Sequence, residues 1–318
     1  MRVLLIFIDG VGLGGAGPNN PFSFAPTPQL EKLLSGKPLT REAVGLSNEK
    51  ATLLGLDPLL GVPGLPQSAT GQTSLFTGEN APRLLGGHLK GFPISPLKEL
   101  LRRRGIFSQL RGLGCRCAFI NAYRPVFFDL LARGLPGDHY SCSTWLTYYG
   151  GLSFRDLEAL RRGEALYMDI TNETLAQMGF DVPRISPEEG GARLARLAGD
   201  YHFCLFEYFL TDLVGHSGDR EQAARVVDIL DRFLGALLAE IDLQNILVIV
   251  VSDHGNLEEL DHSEHTANPV PGLLAGSPEL RRRLAGRLKD LTHIVPAVKA
   301  ALAEEMPPPG RRSLCERD

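Results

Sequence analysis

The chain has 318 residues, of which 43% are hydrophobic and 22% charged, and its formal net charge is -4. A chain of this length can fill one large core or two domains. The slight negative charge gives no reason to expect nucleic acid or an anionic membrane as a partner. No apolar run approaches the roughly 20 residues that span a bilayer, so we do not expect a membrane protein.

The first residues and the cysteines both bear on the cellular compartment. Met1 to Ile8 is apolar apart from Arg2, but Asp9 follows and there is no small-residue cleavage site. This pattern favours a first strand over a signal peptide. The five cysteines are an odd, scattered set without the spacing of a zinc site or an easy disulfide. We therefore expect free thiols and a cytoplasmic protein.

Short apolar runs alternate with amphipathic stretches along the chain. The runs are typical of buried strands, and the stretches are typical of helices that pack on one face. In chain order we predict a strand at 3–8, helices at 29–34 and 97–104, a strand at 117–121, a helix starting at Ser186, a strand at 202–210, a helix at 219–241, strands at 246–252 and 273–275, and a helix at 278–288. This alternation predicts an α/β fold with a three-layer α/β/α core and a mostly parallel sheet.

The regular pattern is interrupted in the middle of the chain. Residues 122–184 mix aromatic residues, arginines and short polar stretches, which suggests an inserted domain. We predict a discontinuous core of residues 1–88 and 185–305, with a smaller inserted cap domain at 89–184. Residues 306–318 carry three consecutive prolines and several charges, and we predict that this tail is disordered.

Side chains that could bind metal ions follow apolar segments at four places. They are Asp9, Asp212 with His216, Asp253 with His254, and His265. Ligands of open α/β sheets gather outside the carboxyl ends of the strands, so these four segments could converge. Three aspartates and three histidines would suit two divalent ions such as manganese, zinc or magnesium.

Each of these side chains also has an ordinary structural role open to it. Asp9 and Asp212 could be turn or cap residues. His254 could be a core histidine bonded to the backbone, and nearby His262 is more typical of a surface or supporting position. The metal-site interpretation depends on the combination of these residues. Turn aspartates are common, but aspartates and histidines after three separate buried strands are not.

A further signal is the loop and small-residue stretch at 66–78, which contains Ser68. A serine here can lie at the N-terminus of a helix, where backbone N–H groups and the helix dipole favour an anion. A divalent cation beside it would lower the pKa of its hydroxyl and make it a nucleophile. Ser68 could instead only cap the helix, and Thr70 is a rival nucleophile on the same loop.

Taken together, these motifs resemble the alkaline phosphatase superfamily, and most of all its branch of cofactor-independent phosphoglycerate mutase and phosphopentomutase. The resemblance rests on Asp9 in Ile-Asp-Gly, Ser68 ahead of Thr77-Gly78, Asp-Leu-Val-Gly-His at 212–216, Asp-His-Gly-Asn at 253–256, and His-Thr-Ala-Asn-Pro-Val-Pro at 265–271. It implies two metal sites. One would consist of Asp212, His216 and His265, and the other of Asp9, Asp253 and His254, with Ser68 bridging from this second metal to the substrate phosphorus.

The resemblance also implies a reaction. Members of the family attack phosphorus with a metal-bound serine or threonine and form a phospho-enzyme. We therefore expect a two-metal phosphatase or phosphomutase that acts on a small phosphorylated metabolite, with Mn²⁺ or Zn²⁺ foremost and Mg²⁺ also suitable. A phosphodiesterase is an alternative within the fold. A non-catalytic metal-binding or regulatory protein that keeps the core is an alternative from another class.

The substrate-binding residues are the least defined part of the prediction. The inserted segment is shorter than in the phosphoglycerate mutases that the chain resembles, so its contacts with substrate should differ. Arg124, Arg155 and Arg161 are candidate phosphate or carboxylate binders, because the guanidinium fork suits both anions. A solvated surface position also fits each arginine singly. His88, in a loop at the edge of the insertion, is a candidate proton donor.

Overall fold

Six strands form one sheet in the computed structural model, which describes residues 1–135 and 137–303. The strands are β1 (Arg2–Ile8), β2 (Ala51–Leu56), β3 (Cys117–Phe119), β4 (Phe203–Tyr208), β5 (Ile246–Val251) and β6 (Val270–Ala275). Their order across the sheet is β2-β6-β5-β1-β4-β3. The predicted tail, 306–318, lies outside the described residues.

The sheet is mostly parallel, as predicted. Strand β1 pairs in parallel with β4 and β5, and β3 pairs in parallel with β4. Strand β6 runs antiparallel to both of its neighbours, β2 and β5. The central strands are buried on both faces and must be almost continuously apolar, which is how β1, β4 and β5 read in the sequence.

Helices lie on both sides of the sheet. They are α1 (Pro21–Phe24), α2 (Pro28–Leu33), α3 (Ser68–Thr77), α4 (Ala81–Leu85), α5 (Ser95–Arg104), α6 (Ile106–Gly112), α7 (Pro125–Leu131), α8 (Cys142–Tyr149), α9 (Leu157–Arg161), α10 (Glu173–Gln177), α11 (Pro187–Ala198), α12 (Leu210–Ser217), α13 (Arg220–Glu240), α14 (Pro278–Ala285) and α15 (Ile294–Ala303), with 3-10 turns at Arg41–Ala43 and Leu291–His293.

The side chains of β1 point alternately into two hydrophobic layers. Leu4 and Ile6 pack with α2, α11 and α13 on one face of the sheet. Leu5 and Phe7 pack with α3, α5, α8 and α15 on the other face. Because side chains of a strand point alternately to its two faces, one apolar strand contributes to both cores. The predicted three-layer α/β/α arrangement is confirmed.

Side-chain caps mark the starts of two helices, including the one predicted to start at Ser186. The side chain of Ser186 accepts a hydrogen bond from the backbone N–H of Glu189 at the start of α11, and Asp219 caps α13 through two such bonds. Helix α5 begins two residues earlier than the predicted start at 97. Ile94 occupies the cap position, and Ser95 and Pro96 lie in the first turn.

Two elements near the candidate site differ from the prediction. The strand predicted at 202–210 ends at Tyr208, and the following residues form helix α12. Strand β6 begins at Val270, three residues earlier than predicted, although it contains Pro271. Pro271 pairs with Gly55 of β2, but β6 pairs with β5 only through residues 272–275. The missing N–H of Pro271 therefore costs no hydrogen bond to β5.

The inserted segment is built partly into the core. Strand β3 is an edge strand of the main sheet, and α5, α6 and α8 pack in the same hydrophobic layer as α3. The predicted insertion at 89–184 therefore includes core elements. A smaller hydrophobic cluster, which lies between residues 122 and 182, contains Leu157, Leu160 and Leu175.

The central position of β1 generates a stability prediction. Leu5 is fully buried, so Leu5→Ala should lower the free energy of unfolding by about 3 kcal/mol, through lost burial and the cavity left behind. Leu84→Ala is the matched control, because Leu84 is 59% exposed and should change stability by less than about 0.5 kcal/mol. Urea denaturation followed by circular dichroism measures both values. Equal effects of the two substitutions would contradict the central role of β1.

Candidate metal centre

Two neighbouring strands bring the first three candidate ligands together. Asp9 follows β1, and Asp253 and His254 follow β5, which is paired with β1. The Nε2 atom of His254 lies 3.2 Å from Oδ1 of Asp9 and 3.4 Å from Oδ2 of Asp253. All three residues are buried. The parallel pairing of the strands therefore brings Asp9 into direct contact with residues that lie more than 240 positions away in the sequence.

Helix α12 and the loop before β6 supply the other three. Asp212 and His216 are four residues apart on α12 and therefore share one face of the helix. The Nε2 atom of His216 lies 3.4 Å from Oδ2 of Asp212 and 3.3 Å from Nε2 of His265. The helix was not predicted, but it is the element that aligns these two side chains.

Asp212 lies between the two groups of ligands. Its carboxylate belongs to a group with His216 and His265 and to a second group with Asp9 and His254, in each of which the ligand atoms lie within 4.8 Å of one another. The rings of His254 and His265 stack with their centroids 3.7 Å apart. The two predicted sites are therefore adjacent, with Asp212 at their boundary instead of in one of them alone.

Backbone carbonyl groups orient the histidine rings. Nδ1 of His216 lies 2.8 Å from the carbonyl oxygen of Ser263, and Nδ1 of His265 lies 2.9 Å from that of Pro66. A carbonyl accepts only from a protonated nitrogen, so both bonds select the tautomer in which Nε2 carries a lone pair. In both rings Nε2 faces the cluster, which is the orientation that metal binding requires.

The charges of the cluster suit a cation. Burial and the neighbouring charge of Asp253 raise the pKa of Asp9 well above its usual range, and burial also raises the pKa of Asp253. Although burial opposes a charge on His254, the carboxylates of Asp253 and Asp9 raise its pKa to about 10. Oδ1 of Asp9 and Oδ2 of Asp253 are buried and make no hydrogen bond within the described residues. Buried oxygens of this kind fit metal coordination.

Ser68 and Thr70, the two rival nucleophiles, differ in what they contact. Ser68 is the first residue of α3, and its Oγ lies 3.0 Å from Nε2 of His254. Thr70 is fully buried, donates to the carbonyl oxygen of Gln67 and accepts from the N–H of Leu89. Of the two hydroxyl groups, the one that faces the cluster is that of Ser68.

Close packing of the backbone brings α3 and β1 to the cluster. A Cβ atom at Gly71 would lie 3.0 Å from the carbonyl oxygen of Asp253, so a side chain here would push α3 away. Gly10 has φ +70°, and a Cβ atom there would lie 2.6 Å from Oδ1 of Asp212. Space alone requires glycine at position 71, whereas both the backbone conformation and the space require it at position 10.

Residues that the sequence did not identify hold the ligands in place. Gln72, one helical turn after Ser68, donates to Oδ2 of Asp9 at 3.0 Å. Asn256 donates to Oδ1 of Asp212 at 2.7 Å. Buried Glu258 accepts hydrogen bonds from four groups, which are the N–H groups of Gly12 and Asn256, the hydroxyl of Thr266 and the amide of Asn268. The helical spacing from Ser68 and the proximity in sequence to His254 were the available signals.

Two of the three candidate arginines lie away from the cluster. Arg155 donates to the carbonyl oxygen of Phe119 at 3.2 Å and to the hydroxyl of Tyr201 at 3.0 Å. Tyr201 precedes β4, so this arginine lies towards the amino ends of the strands, whereas the ligands follow their carboxyl ends. Arg161 donates to the carbonyl oxygen of Asp181 and pairs with Glu158 on the surface.

His88 and Arg124 lie on the side of the molecule that carries the cluster, but neither contacts it. Nε2 of His88 is 3.2 Å from the carbonyl oxygen of Val62. The next residue, Leu89, hydrogen-bonds Thr70, so His88 lies near the first turn of α3, which carries Ser68. Arg124 contacts the sulfur of Met178 and lines a cavity together with Glu207.

The family comparison agrees with this geometry. Residues 177–300 match the model of the metalloenzyme superfamily. A 2,3-bisphosphoglycerate-independent phosphoglycerate mutase of Dinoroseobacter shibae is 37% identical over 117 residues, which cover 34% of this chain and 23% of that relative. The same enzyme of Agrobacterium fabrum is 31% identical over 134 residues, 40% of this chain and 26% of the relative.

The predicted resemblance is therefore confirmed at the level of the sequence: part of the chain is similar to the metalloenzyme superfamily and to phosphoglycerate mutases. Among solved structures, a phosphoglycerate mutase of Leishmania mexicana has a TM-score of 0.58 at 12% identity, covering 96% of this chain and 97% of that one. A protein of Pyrococcus horikoshii has a TM-score of 0.53 at 17% identity, with 97% and 98% covered. These structures share the fold. The sequence matches to the curated mutases extend over about a quarter of their length.

The boundary position of Asp212 generates a prediction about metal binding. Asp212→Asn keeps the shape of the side chain and an acceptor for Asn256 but removes the negative charge from both groups, so it should weaken Mn²⁺ binding at both sites by at least about 100-fold. Isothermal titration calorimetry measures affinity and stoichiometry. Asp261→Asn is the control, because Asp261 is exposed on the nearby loop. Retention of two tightly bound ions in Asp212→Asn would exclude the boundary role.

Glu207 generates a prediction about pH. Burial raises the pKa of this carboxyl to about 7, although the hydroxyl of Ser143 donates to it at 2.6 Å. Between its ordinary pKa and pH 7 the folded state therefore holds a proton that the unfolded state has lost, so stability falls as pH rises through this window. Glu207→Gln should remove this loss, which amounts to at most about 3 kcal/mol.

Urea denaturation of both proteins between pH 4.5 and 8 measures this effect. The stability of the parent chain should fall relative to that of Glu207→Gln as pH rises, and the difference should level off above pH 7. Glu240→Gln is the control, because Glu240 is exposed at the end of α13. A difference between parent and Glu207→Gln that does not change with pH would show that Glu207 is ionised in the folded state throughout.

Among residues 1–135 and 137–303, none of the helices combines the length and the apolar character needed to cross a membrane.

Proposed function

We propose that this chain is a metal-dependent phosphoryl-transfer enzyme, a phosphatase or phosphomutase that acts on a small phosphorylated metabolite. The observation that carries the proposal is the contact of Ser68 with the ligand cluster. Its hydroxyl lies 3.0 Å from His254 at the N-terminus of a buried helix. A hydroxyl group, a positive helix end and a set of candidate metal ligands thus lie together, and this combination supports phosphoryl transfer through a metal-activated serine.

The proposed ligands are divided between two divalent ions. Asp9, Asp253 and His254 would hold the ion next to Ser68, and His216 and His265 would hold the second ion, with Asp212 at the boundary. A mixed set of carboxylates and imidazoles favours Mn²⁺ or Zn²⁺, and Mg²⁺ is also suitable. When bound, the ions would lower the pKa of the serine hydroxyl and neutralise charge on the phosphoryl oxygens.

The proposed reaction proceeds in two transfers. The Oγ atom of Ser68 forms a bond to phosphorus, the bond from phosphorus to the ester oxygen breaks, and the released alcohol takes up a proton. The phosphoserine then passes its phosphoryl group to water in a phosphatase, or to a second hydroxyl of the substrate in a mutase. The N–H groups at the start of α3 are positioned for the negative charge that each transfer brings to this point.

Gln72 and Asn256 support the reaction indirectly in this proposal. Gln72 restrains the carboxylate of Asp9, and Asn256 restrains that of Asp212. Each leaves the other oxygen of its carboxylate available to a metal ion. We also propose a cytoplasmic location, because the cysteines at 117, 142 and 204 form no disulfide, which fits a reducing compartment.

The proposal is tested by the release of phosphate from 4-nitrophenyl phosphate in the presence of Mn²⁺. Ser68→Ala should lower kcat by at least about a thousand-fold, because the nucleophile is lost while the metal ligands remain. Removal of metal with a chelator should have a similar effect, and Mn²⁺ should restore the activity.

Thr70→Val is the matched variant for the rival nucleophile. It removes a hydroxyl two residues away from Ser68 and should keep most of kcat, with some loss of stability from the broken bonds to Gln67 and Leu89. Full activity of Ser68→Ala with loss in Thr70→Val would reverse the assignment. Tight Mn²⁺ binding without turnover of any phosphomonoester would favour a non-catalytic metal-binding protein.

A further inference from the structure

A cavity of about 290 Å³ lies beside the proposed catalytic centre, between the ends of β3 and β4 and helices α7 and α8. Its wall is mainly aromatic and includes Tyr123, Phe127, Tyr140 and Tyr167. We refer to this cavity as the aromatic pocket. Its volume is close to the lower end of the range for pockets that bind small molecules.

The aromatic pocket borders the proposed catalytic centre, because residues that line the pocket are followed in the chain by residues that contact this centre. Glu207, at the end of β4, lines the pocket, and the carbonyl oxygen of the next residue, Tyr208, accepts a hydrogen bond from the N–H of Asp9 at 2.9 Å. Ser141 also lines it, and the next residue, Cys142, lies 3.6 Å from the carbonyl oxygen of Ala69. Ala69 follows the proposed nucleophile, so a substrate whose phosphoryl group lies at Ser68 can extend its organic group into this space.

The wall of the aromatic pocket is held rigidly. The rings of Tyr123 and Phe127 are in contact, with centroids 4.1 Å apart. The hydroxyl of Tyr123 lies 2.8 Å from that of Thr144. Asn121 clamps the main chain of Glu207 with two hydrogen bonds, at 2.8 and 2.9 Å. A preformed wall of flat rings favours a flat ligand, because rings stack or meet edge to face without a loss of side-chain freedom.

Two charged groups give the aromatic pocket its polarity. Glu207 is only 6% exposed, and Ser143 is the one hydrogen-bond partner of its carboxyl within the described residues. The carboxyl group of Glu207 can therefore accept a further hydrogen bond from an N–H or O–H group of a ligand. Arg124 also lines the pocket. A compact carboxylate such as that of phosphoglycerate would leave the aromatic wall uncovered.

We propose that the aromatic pocket binds the organic group of the substrate and that this group is a planar ring carrying a hydrogen-bond donor. The substrate would thus be a ring-bearing phosphomonoester instead of a three-carbon phospho-acid. This inference rests on the proposed function, because it assigns the substrate class of the same site.

The first test compares substrates in the presence of Mn²⁺. The value of kcat/KM for 4-aminophenyl phosphate should exceed that for glycerol 3-phosphate and 3-phosphoglycerate by about ten-fold or more, since an apolar pocket discriminates by such factors. Because aryl phosphates also have better leaving groups, the comparison includes 4-aminobenzyl phosphate, whose alkyl leaving group resembles that of glycerol phosphate. Equal kcat/KM for the benzyl and glycerol esters would overturn the inference.

The second test blocks the aromatic pocket with a surface substitution. Val126 lines the pocket and is 55% exposed, so Val126→Arg should place a long side chain at its opening without disturbing the core. It should lower kcat/KM for 4-aminobenzyl phosphate about ten-fold more than it lowers kcat/KM for glycerol 3-phosphate. Leu84→Arg is the matched control, since Leu84 is 59% exposed on α4 and does not line the pocket. An equal effect of Val126→Arg on both esters would contradict the proposal.

The third test examines the hydrogen-bond donor and uses binding as well as turnover. Glu207→Gln should raise KM for 4-aminobenzyl phosphate more than for benzyl phosphate, with little change in kcat. Binding of 4-aminobenzyl alcohol is followed by the fluorescence of Trp145, the single tryptophan of the chain, whose ring lies 5.8 Å from that of Tyr140. Val126→Arg should weaken the fluorescence change.

The binding measurement distinguishes the two proposals. In one outcome the protein binds the ring-bearing alcohol saturably, Val126→Arg weakens this binding, and no ester releases phosphate. This outcome would support the aromatic pocket and reject the proposed function. In the opposite outcome the turnover of phosphomonoesters depends on Ser68, but the protein neither binds the ring-bearing alcohol nor prefers ring-bearing esters. This outcome would reject the aromatic pocket and support the proposed function.

Discussion

The structure depends on the electrostatic requirement of one buried cluster. Three aspartates and three histidines meet at the carboxyl ends of the central strands, where burial makes every unpaired negative charge costly. A bound cation relieves this cost, because it turns repulsion between neighbouring carboxylates into shared attraction. The surrounding hydrogen bonds are consistent with this requirement. Histidine rings are oriented by backbone carbonyls, and Gln72 and Asn256 each restrain one carboxylate.

The cluster in turn constrains the packing of the elements that carry it. Helix α3 can bring Ser68 to His254 only because Gly71 lets its backbone approach that of Asp253. The chain leaves β1 through Gly10, whose positive φ and lack of a side chain make room for Asp212. Glu258 joins the loop after β1 to the loop after β5 by accepting hydrogen bonds from both. These contacts fix ligand positions through rigid elements, which favours preorganisation of the site.

The division between core and insertion is less sharp in three dimensions than along the chain. Helix α8 lies within the predicted insertion, yet its first residue touches α3 directly after Ser68. As a result, residues of the inserted segment form one wall of the aromatic pocket while β4 contributes Glu207 from the core. A pocket built at such a junction can change its specificity through the insertion while the metal ligands stay in place, which fits a fold that serves many reactions.

The sequence by itself determined the α/β fold and the candidate ligands that the structure brings together, because strand ends, apolar runs and the residue types that bind metals are local features. It could not determine that Asp212 and His216 lie on a helix, because the residues of α12 follow a strand without a capping signal. Nor could it show that the hydroxyl of Ser68 contacts the cluster, or that Arg155 and Arg161 form hydrogen bonds elsewhere, since the direction of a side chain depends on what packs around it. Only the tertiary structure decided these points. Contacts such as that between Ser68 and His254 join residues far apart in the chain, and their distances are set by the packing of whole elements.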